Sequence, residues 1–281
     1  MSLLDLQTDT AKTRIIAMIH GYPKSGKTAS TLSLTKIEGH TVGFIALDAN
    51  SIAGLKAGMS NPAIPKNQAN FKNFHIRSPI HEKTQSGVLT SLKGMGKTLS
   101  ANSVTSLQAG ASKAPKVAVG DTLTPVLATI MGEFISDSGD NLGDVSEWGV
   151  DHTLVIDSVS ALVDAIASTT NGNNVILAQS NYFAVQRVID LIVTRLIQAT
   201  KCNIIFLAHS HLQISDSGEL IVPTIFGQKG GLNLARLATE VLYATSTPSY
   251  KFTTQSSVAL CGSILLREKT IPQDLSIYYK V

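Results

Sequence analysis

Cysteine is scarce in this 281-residue chain: Cys202 and Cys261 stand far apart, each in an apolar, strand-like run. That excludes a disulfide-stapled scaffold and a thiolate metal site, and both residues read as buried thiols. Excess charge of either sign is also lacking. Lys and Arg number 23 against 20 Asp and Glu, a formal +3, so any nucleic-acid surface must be local. No apolar run approaches the roughly 20 residues that a membrane-spanning helix needs. The opening Met1-Ser2-Leu3-Leu4-Asp5 lacks the basic stretch and apolar segment of a secretory leader, so a cytoplasmic protein with no membrane partner is expected. What remains is ordinary for a soluble chain, 43% hydrophobic and 15% charged, and long enough to bury a full core.

Against that plain background one segment stands out. Gly21-Tyr22-Pro23-Lys24-Ser25-Gly26-Lys27-Thr28 is a complete G-x-x-x-x-G-K-T phosphate loop. The apolar run Ile15 to Ile19 precedes it, and helix-compatible residues from Ala29 to Leu34 follow. That context is what the motif requires. The glycines let the backbone curl so that successive N–H groups face phosphate oxygens, and the helix N-terminus adds partial positive charge. Lys27 is placed to reach the β- and γ-phosphates, and the Thr28 hydroxyl to ligate Mg²⁺. The whole run from Gly21 to Thr28 is the candidate nucleotide cradle.

Periodicity along the rest of the chain alternates strands with helices. Strands are predicted over 14–19, 41–47, 71–76, 153–156, 203–207 and 241–244, and helices over 27–37, 122–134, 159–167, 182–199 and 234–237. The segments 263–266 and 275–279 are expected to close the chain as an antiparallel hairpin. This order predicts an α/β fold, a mainly parallel sheet with helices on both faces, whose ligands bind beyond the carboxyl ends of the strands. Residues 84–120, rich in Ser, Gly, Ala, Thr and Lys, interrupt the pattern and read as a flexible surface insertion or a binding arm.

Further candidates fall at strand ends. Leu154-Val155-Ile156-Asp157-Ser158 has the form of a Walker B element, with Asp157 holding the magnesium ion or its water beside Thr28. Asp48, which ends the strand Val42 to Leu47, is placed either as the base that orients an attacking water or as a loop-capping carboxylate before Asn50. The strand Ile204 to Leu207 ends Ala208-His209-Ser210-His211. His209 suits a γ-phosphate sensor or a structural role, while a metal pair with His211 lacks further ligand spacing. Near the C-terminus Arg267 and Lys269 form a cation pair at a strand end, either solvated or reaching a neighbouring subunit's γ-phosphate.

The ordered set of phosphate loop, carboxylate after the second strand, Asp-Ser Walker B and strand ending Ala-His resembles the RecA-like P-loop ATPases. Within them it is similar to the short phage-type single-strand annealing and recombination ATPases, the Sak group. The resemblance covers most of residues 14–281 and implies a single RecA-like ATPase domain that uses ATP and Mg²⁺ in a phage-infected host's cytoplasm. It makes Asp48 the implied base, with an aspartate where RecA has the longer glutamate. It implies a DNA-binding loop within residues 211–231, where Phe226, Gln228 and Lys229 would meet single-stranded DNA; a plain hairpin turning at Asp216-Ser217-Gly218 explains much of the same segment. Arg267 and Lys269 match the paired basic residues that related filament and ring ATPases insert into the adjacent site, so self-association is implied. The expected activity is therefore a DNA-stimulated ATPase that assembles on single-stranded DNA for recombination or annealing. A ring-forming motor, a helicase or packaging ATPase, and an ATP-switched assembly protein are the alternatives.

Overall fold

The computed structural model describes residues 14–78, 130–164, 179–215, 218–225, 230–247, 249–265 and 268–279. In chain order its elements begin with β1 (Ile16–Gly21), α1 (Lys27–Ser30), β2 (Thr41–Ala46), α2 (Ser51–Ser60) and β3 (Phe74–Arg77). Next come β4 (Glu133–Ile135), β5 (Asn141–Asp144), β6 (His152–Asp157), α3 (Gln179–Ala199), β7 (Asn203–Ser215) and β8 (Gly218–Pro223). The chain closes with α4 (Gly230–Leu237), β9 (Glu240–Thr245), β10 (Lys251–Thr253), β11 (Gly262–Ser263) and β12 (Thr270–Pro272). No helix among the described residues is long and apolar enough to cross a membrane.

The main sheet runs β3-β2-β6-β7-β1-β9-β10-β12. From β3 to β9 every pairing is parallel, and β10 and β12 add antiparallel edges. The predicted α/β fold with antiparallel C-terminal strands is thus present. Its central strands are apolar on both faces because both are covered. On β6, Leu154 and Ile156 join one core with Met18, Phe206 and the α3 stripe Ile189, Ile192, Val193 and Leu196. Val155 faces the opposite core with Ile19, Phe44, Leu207, Leu32 and Leu55. Gly43 on β2 admits the Trp148 and Phe134 rings so closely that a Cβ would come within 2.6 Å of Trp148 Cη2.

Three local expectations are corrected. The helix predicted over 27–37 is α-helical only to Ser30 and continues as a 3-10 helix, Thr31–Lys36. Its hydroxyls explain this: Ser30, Thr31, Ser33 and Thr35 each donate to the carbonyl three residues back, bonding locally in competition with the α-helical ladder. Second, Phe134, read as the end of a helix, lies in β4 between exposed Glu133 and Ile135; 122–129 lie outside the described residues. Third, Leu275–Tyr279 is a 3-10 helix and not a strand. Its first N–H donates to Ser33 Oγ at 2.7 Å, and Asp274 takes the Ser276 N–H and hydroxyl. Of the segment 263–266, described as far as Leu265, Ser263 pairs through β11, and the buried Glu240 carboxylate draws the Ile264 and Leu265 N–H groups onto itself.

β7 exceeds its predicted length. It leaves the sheet after His209 and forms a hairpin with β8, in register from Ser210↔Pro223 to Ser215↔Gly218. Gly218 supplies a φ of 120° at the turn, where a side chain would be strained. Cys202 is buried and Cys261 half-buried, both free. The 84–120 insertion lies outside the described residues.

Candidate nucleotide-binding site

The sheet order places β7 between β1 and β6, and its register fixes which residues meet. Gly21 at the end of β1 is the partner of His209, and Asp157 at the end of β6 is the partner of both Leu207 and Ala46. Phosphate loop, His209, Asp157 and Asp48 therefore lie in a row along the carboxyl edge of the parallel strands. The edge opens into a cavity of about 630 Å³ whose wall includes Lys27, Thr28, Asp48, Asp157 and His209.

Both glycines of the loop have steric reasons. Gly26 has φ 89°, and a Cβ there would lie 2.7 Å from Tyr250 Cδ1 and nearer still to Gln273 Oε1. At Gly21 a Cβ would lie 2.6 Å from the Ala244 carbonyl and from Ser25 Oγ. Lys24, with φ 65°, completes the curl. Lys27 Nζ donates to the loop's own carbonyls, Gly21 at 2.8 Å and Tyr22 at 3.0 Å. Burial pushes this ammonium down to about 8, against the pull of Asp157 and Asp48. A polyphosphate bound there would raise it again. Affinity for ATP is thus expected to be full near pH 7, to begin falling as the pH reaches about 8, and to weaken by up to tenfold per pH unit above it, until the bound lysine itself titrates. Nucleotide titrations from pH 7 to 10 check this; a flat profile would remove Lys27 from the phosphates.

Thr28 Oγ1 donates to Asp157 Oδ2 at 2.8 Å. Burial pushes the Asp157 carboxyl up, with Thr28 and Lys27 opposing and Asp48 adding to the rise. A hydroxyl and a carboxylate in contact are hard oxygen donors, and no group of three His, Cys, Asp or Glu among the described residues forms a metal cage. That set fits Mg²⁺, which takes few protein oxygens and completes its shell with substrate phosphates and water.

Asp48 carries the capping bond of its two readings and meets His209 with its other oxygen. Its Oδ1 accepts the Asn50 N–H at 2.8 Å, and its Oδ2 accepts from His209 Nε2 at 3.0 Å. The Leu47 and Asp48 N–H groups both donate to the Asp157 carbonyl, so the two carboxylates share one support. Burial alone raises the Asp48 carboxyl, yet the Asn50 N–H and His209 outweigh it and hold it below the ordinary 3.8. His209 is held by its backbone: its N–H donates to Ser160 Oγ and its carbonyl accepts from Thr224. Its Nδ1 is buried without a partner among the described residues.

Of the other predicted site residues, Pro23, Lys24, Ser25 and Gly26 line the cavity, whereas Tyr22 is exposed and outside its wall. Lys269 is exposed and does not line it. Arg267, Phe226, Gln228 and Lys229 lie outside the described residues. Sequence reasoning missed Tyr250, Gln273 and the α2 face of Ser51, Gly54 and Gly58. Gly54 packs against Thr28, and Gly58 against Ala29 and Leu32. Their four-residue spacing on a helix is the signal that was there to be read. Tyr250 and Gln273 left none.

No family model and no curated protein matches the sequence. Among solved structures, a KaiC-like protein from the hyperthermophilic archaeon Pyrococcus horikoshii is similar over 85% of this chain and 76% of its own, at 10% identity and a TM-score of 0.38.

Proposed function

We propose that this chain binds and hydrolyses ATP and does so as an assembly on single-stranded DNA. The observation that carries the ATPase reading is the contact of Thr28 with Asp157, 2.8 Å long and beside Lys27, at the mouth of one cavity. ATP would lie with its phosphates in the loop, and Lys27 would exchange the Gly21 and Tyr22 carbonyls for β- and γ-phosphate oxygens. Thr28 and Asp157 would hold Mg²⁺, which would supply neutralisation of the charge on the phosphates. Asp48, held by His209, orients a water in line with the γ-phosphorus. A bond forms from that water to phosphorus, the bond to the β-bridging oxygen breaks, and ADP departs with the electron pair. The water's proton passes toward the Asp48 side.

The DNA reading rests on the family resemblance and on one structural continuity. The strand that carries His209 runs on without a break into the β7–β8 hairpin, where Leu212 and Ile214 are exposed. Whatever engages that hairpin pulls on the residue that holds Asp48. ATP turnover measured with and without single-stranded DNA, on samples also imaged, is expected to rise several-fold together with filaments. Turnover that ignores DNA in closed rings or monomers would sink the DNA reading, and absence of turnover would sink the ATPase reading.

A further inference from the structure

Gln273, directly after β12, is 1% exposed and plays no part in the chemistry above. Its Nε2 donates to the Ser25 carbonyl at 2.7 Å, and to the Thr245 and Lys251 carbonyls at 3.2 and 3.3 Å. Its Oε1 is buried without a partner among the described residues, lying against Gly26. An orphaned buried carbonyl is costly, so the amide is retained for its donors. Its neighbours anchor it to the helical run that follows the loop: Asp274 pairs with Lys36 at 2.5 Å, and Leu275 N–H donates to Ser33 Oγ.

The consequence follows from the planar trans peptide, in which the carbonyl and the next N–H point in opposite directions. With the Ser25 carbonyl drawn toward Gln273, behind the loop, the Gly26 N–H points the other way. Gly26 lines the cavity and Gln273 does not. The Gly26 N–H makes no hydrogen bond to any described residue. We infer that Gln273 is a positioning residue: by holding the Ser25 carbonyl it aims the Gly26 N–H at the nucleotide's phosphates. The same amide, through Thr245 and Lys251, fastens the β9–β10 turn that carries Tyr250 over Gly26. The phosphate-binding geometry of the loop is thereby set from the far end of the chain.

This inference rests on the phosphate-loop reading, and the test separates the two. Full-length protein ¹⁵N-labelled at glycine and at the glutamine side-chain amides is titrated with tripolyphosphate, and affinity is measured in parallel for wild type, Lys27→Ala and Gln273→Met. In wild type the Gly26 amide proton should move downfield at saturation while the Gln273 side-chain amide protons stay protected from exchange. Gln273→Met is expected to bind tripolyphosphate about tenfold more weakly and to lose the Gly26 shift at a temperature where it is fully folded. A residue that merely stabilised the fold would lower the unfolding midpoint and leave that shift in place. Gln273→Met binding as tightly as wild type, with the shift intact, would overturn the inference alone. Tripolyphosphate that binds wild type and Lys27→Ala equally, or binds neither, would overturn the phosphate-loop reading and this inference with it. If Gln273→Met does not fold, the wild-type titration decides, and an unmoved Gly26 amide or an exposed Gln273 amide at saturation overturns the proposal.

Discussion

Lys27→Ala is expected to lose ATP affinity about a hundredfold or more while unfolding at no lower temperature than wild type. The loss follows from removing a desolvated cation from a polyphosphate, a change on the order of several kcal/mol. The retained stability follows from the same burial with opposite sign. Lowering the ammonium from 10.5 to about 8 means that the folded chain disfavours the charged lysine by about 3 kcal/mol at neutral pH. Alanine relieves that cost, and the Gly21 and Tyr22 carbonyls, which lose their donor, give part of it back. The linkage has a definite direction. Wild-type lysine is charged in both states below pH 8, so the penalty is fully present there, and stability rises as pH climbs from about 8 to 10.5. Lys27→Ala should lack that rise. Calorimetric nucleotide titration and thermal unfolding at pH 7 and pH 10 measure both effects. Normal ATP affinity in the variant would sink the phosphate-loop assignment; a large fall in its midpoint at pH 7 would mean that Lys27 serves the fold.

The contrast between Lys27 and Gln273 shows what a sequence discloses and what it hides. Gly21 to Thr28 and Leu154 to Asp157 are legible because their chemistry is local: a strand, a turn and a helix start need residues that are neighbours in the chain. Their juxtaposition is legible too, because alternating strands and helices imply parallel strands whose carboxyl ends line up. Gln273 bonds a carbonyl 248 residues away, through a side chain with no motif around it. Nothing in the run Thr270 to Leu275 distinguishes it from a solvent-facing glutamine. Leu275 to Tyr279 misled for a related reason. Its apolar spacing suits a short strand, whereas the distant Ser33 hydroxyl takes the Leu275 N–H and the adjacent Asp274 takes the Ser276 N–H at the start of a 3-10 helix. The segment 27–37 shows the opposite failing, since there the deciding groups were local: four Ser and Thr hydroxyls aimed at their own backbone were passed over in favour of the apolar positions. Asp48, read as either base or cap, takes the Asn50 N–H with one oxygen as a cap does and leaves the other facing His209.

That division of labour on Asp48 sets up the second large effect. Asp48→Asn keeps an acceptor for the Asn50 N–H, so the entry to α2 should survive with ATP affinity close to wild type. What it removes is the charge facing His209 and the water. Turnover is expected to fall about 10²- to 10⁴-fold, the range for a lost positioned base. The lower end is favoured on two physical grounds. Asp48 is held below the ordinary carboxylate range by the Asn50 N–H and His209, so as a base it is weak at neutral pH and in the proposed mechanism would orient the water rather than take its proton early. Aspartate also reaches one methylene less far than glutamate. The same depression means that Asp48 stays ionised until pH falls below 3.8, so no acid limb from this group should appear in the kcat profile between pH 5 and 8. His209→Ala should act through the same carboxylate: it removes the Nε2–H donor and lets Asp48 turn, lowering kcat while ATP binding persists. Single-turnover hydrolysis with saturating ATP, run on both variants and on their combination, separates the cases. Losses in the double variant no greater than in Asp48→Asn alone would mean that the pair acts as one unit. Wild-type turnover in Asp48→Asn would assign the water to another group and leave Asp48 as a cap.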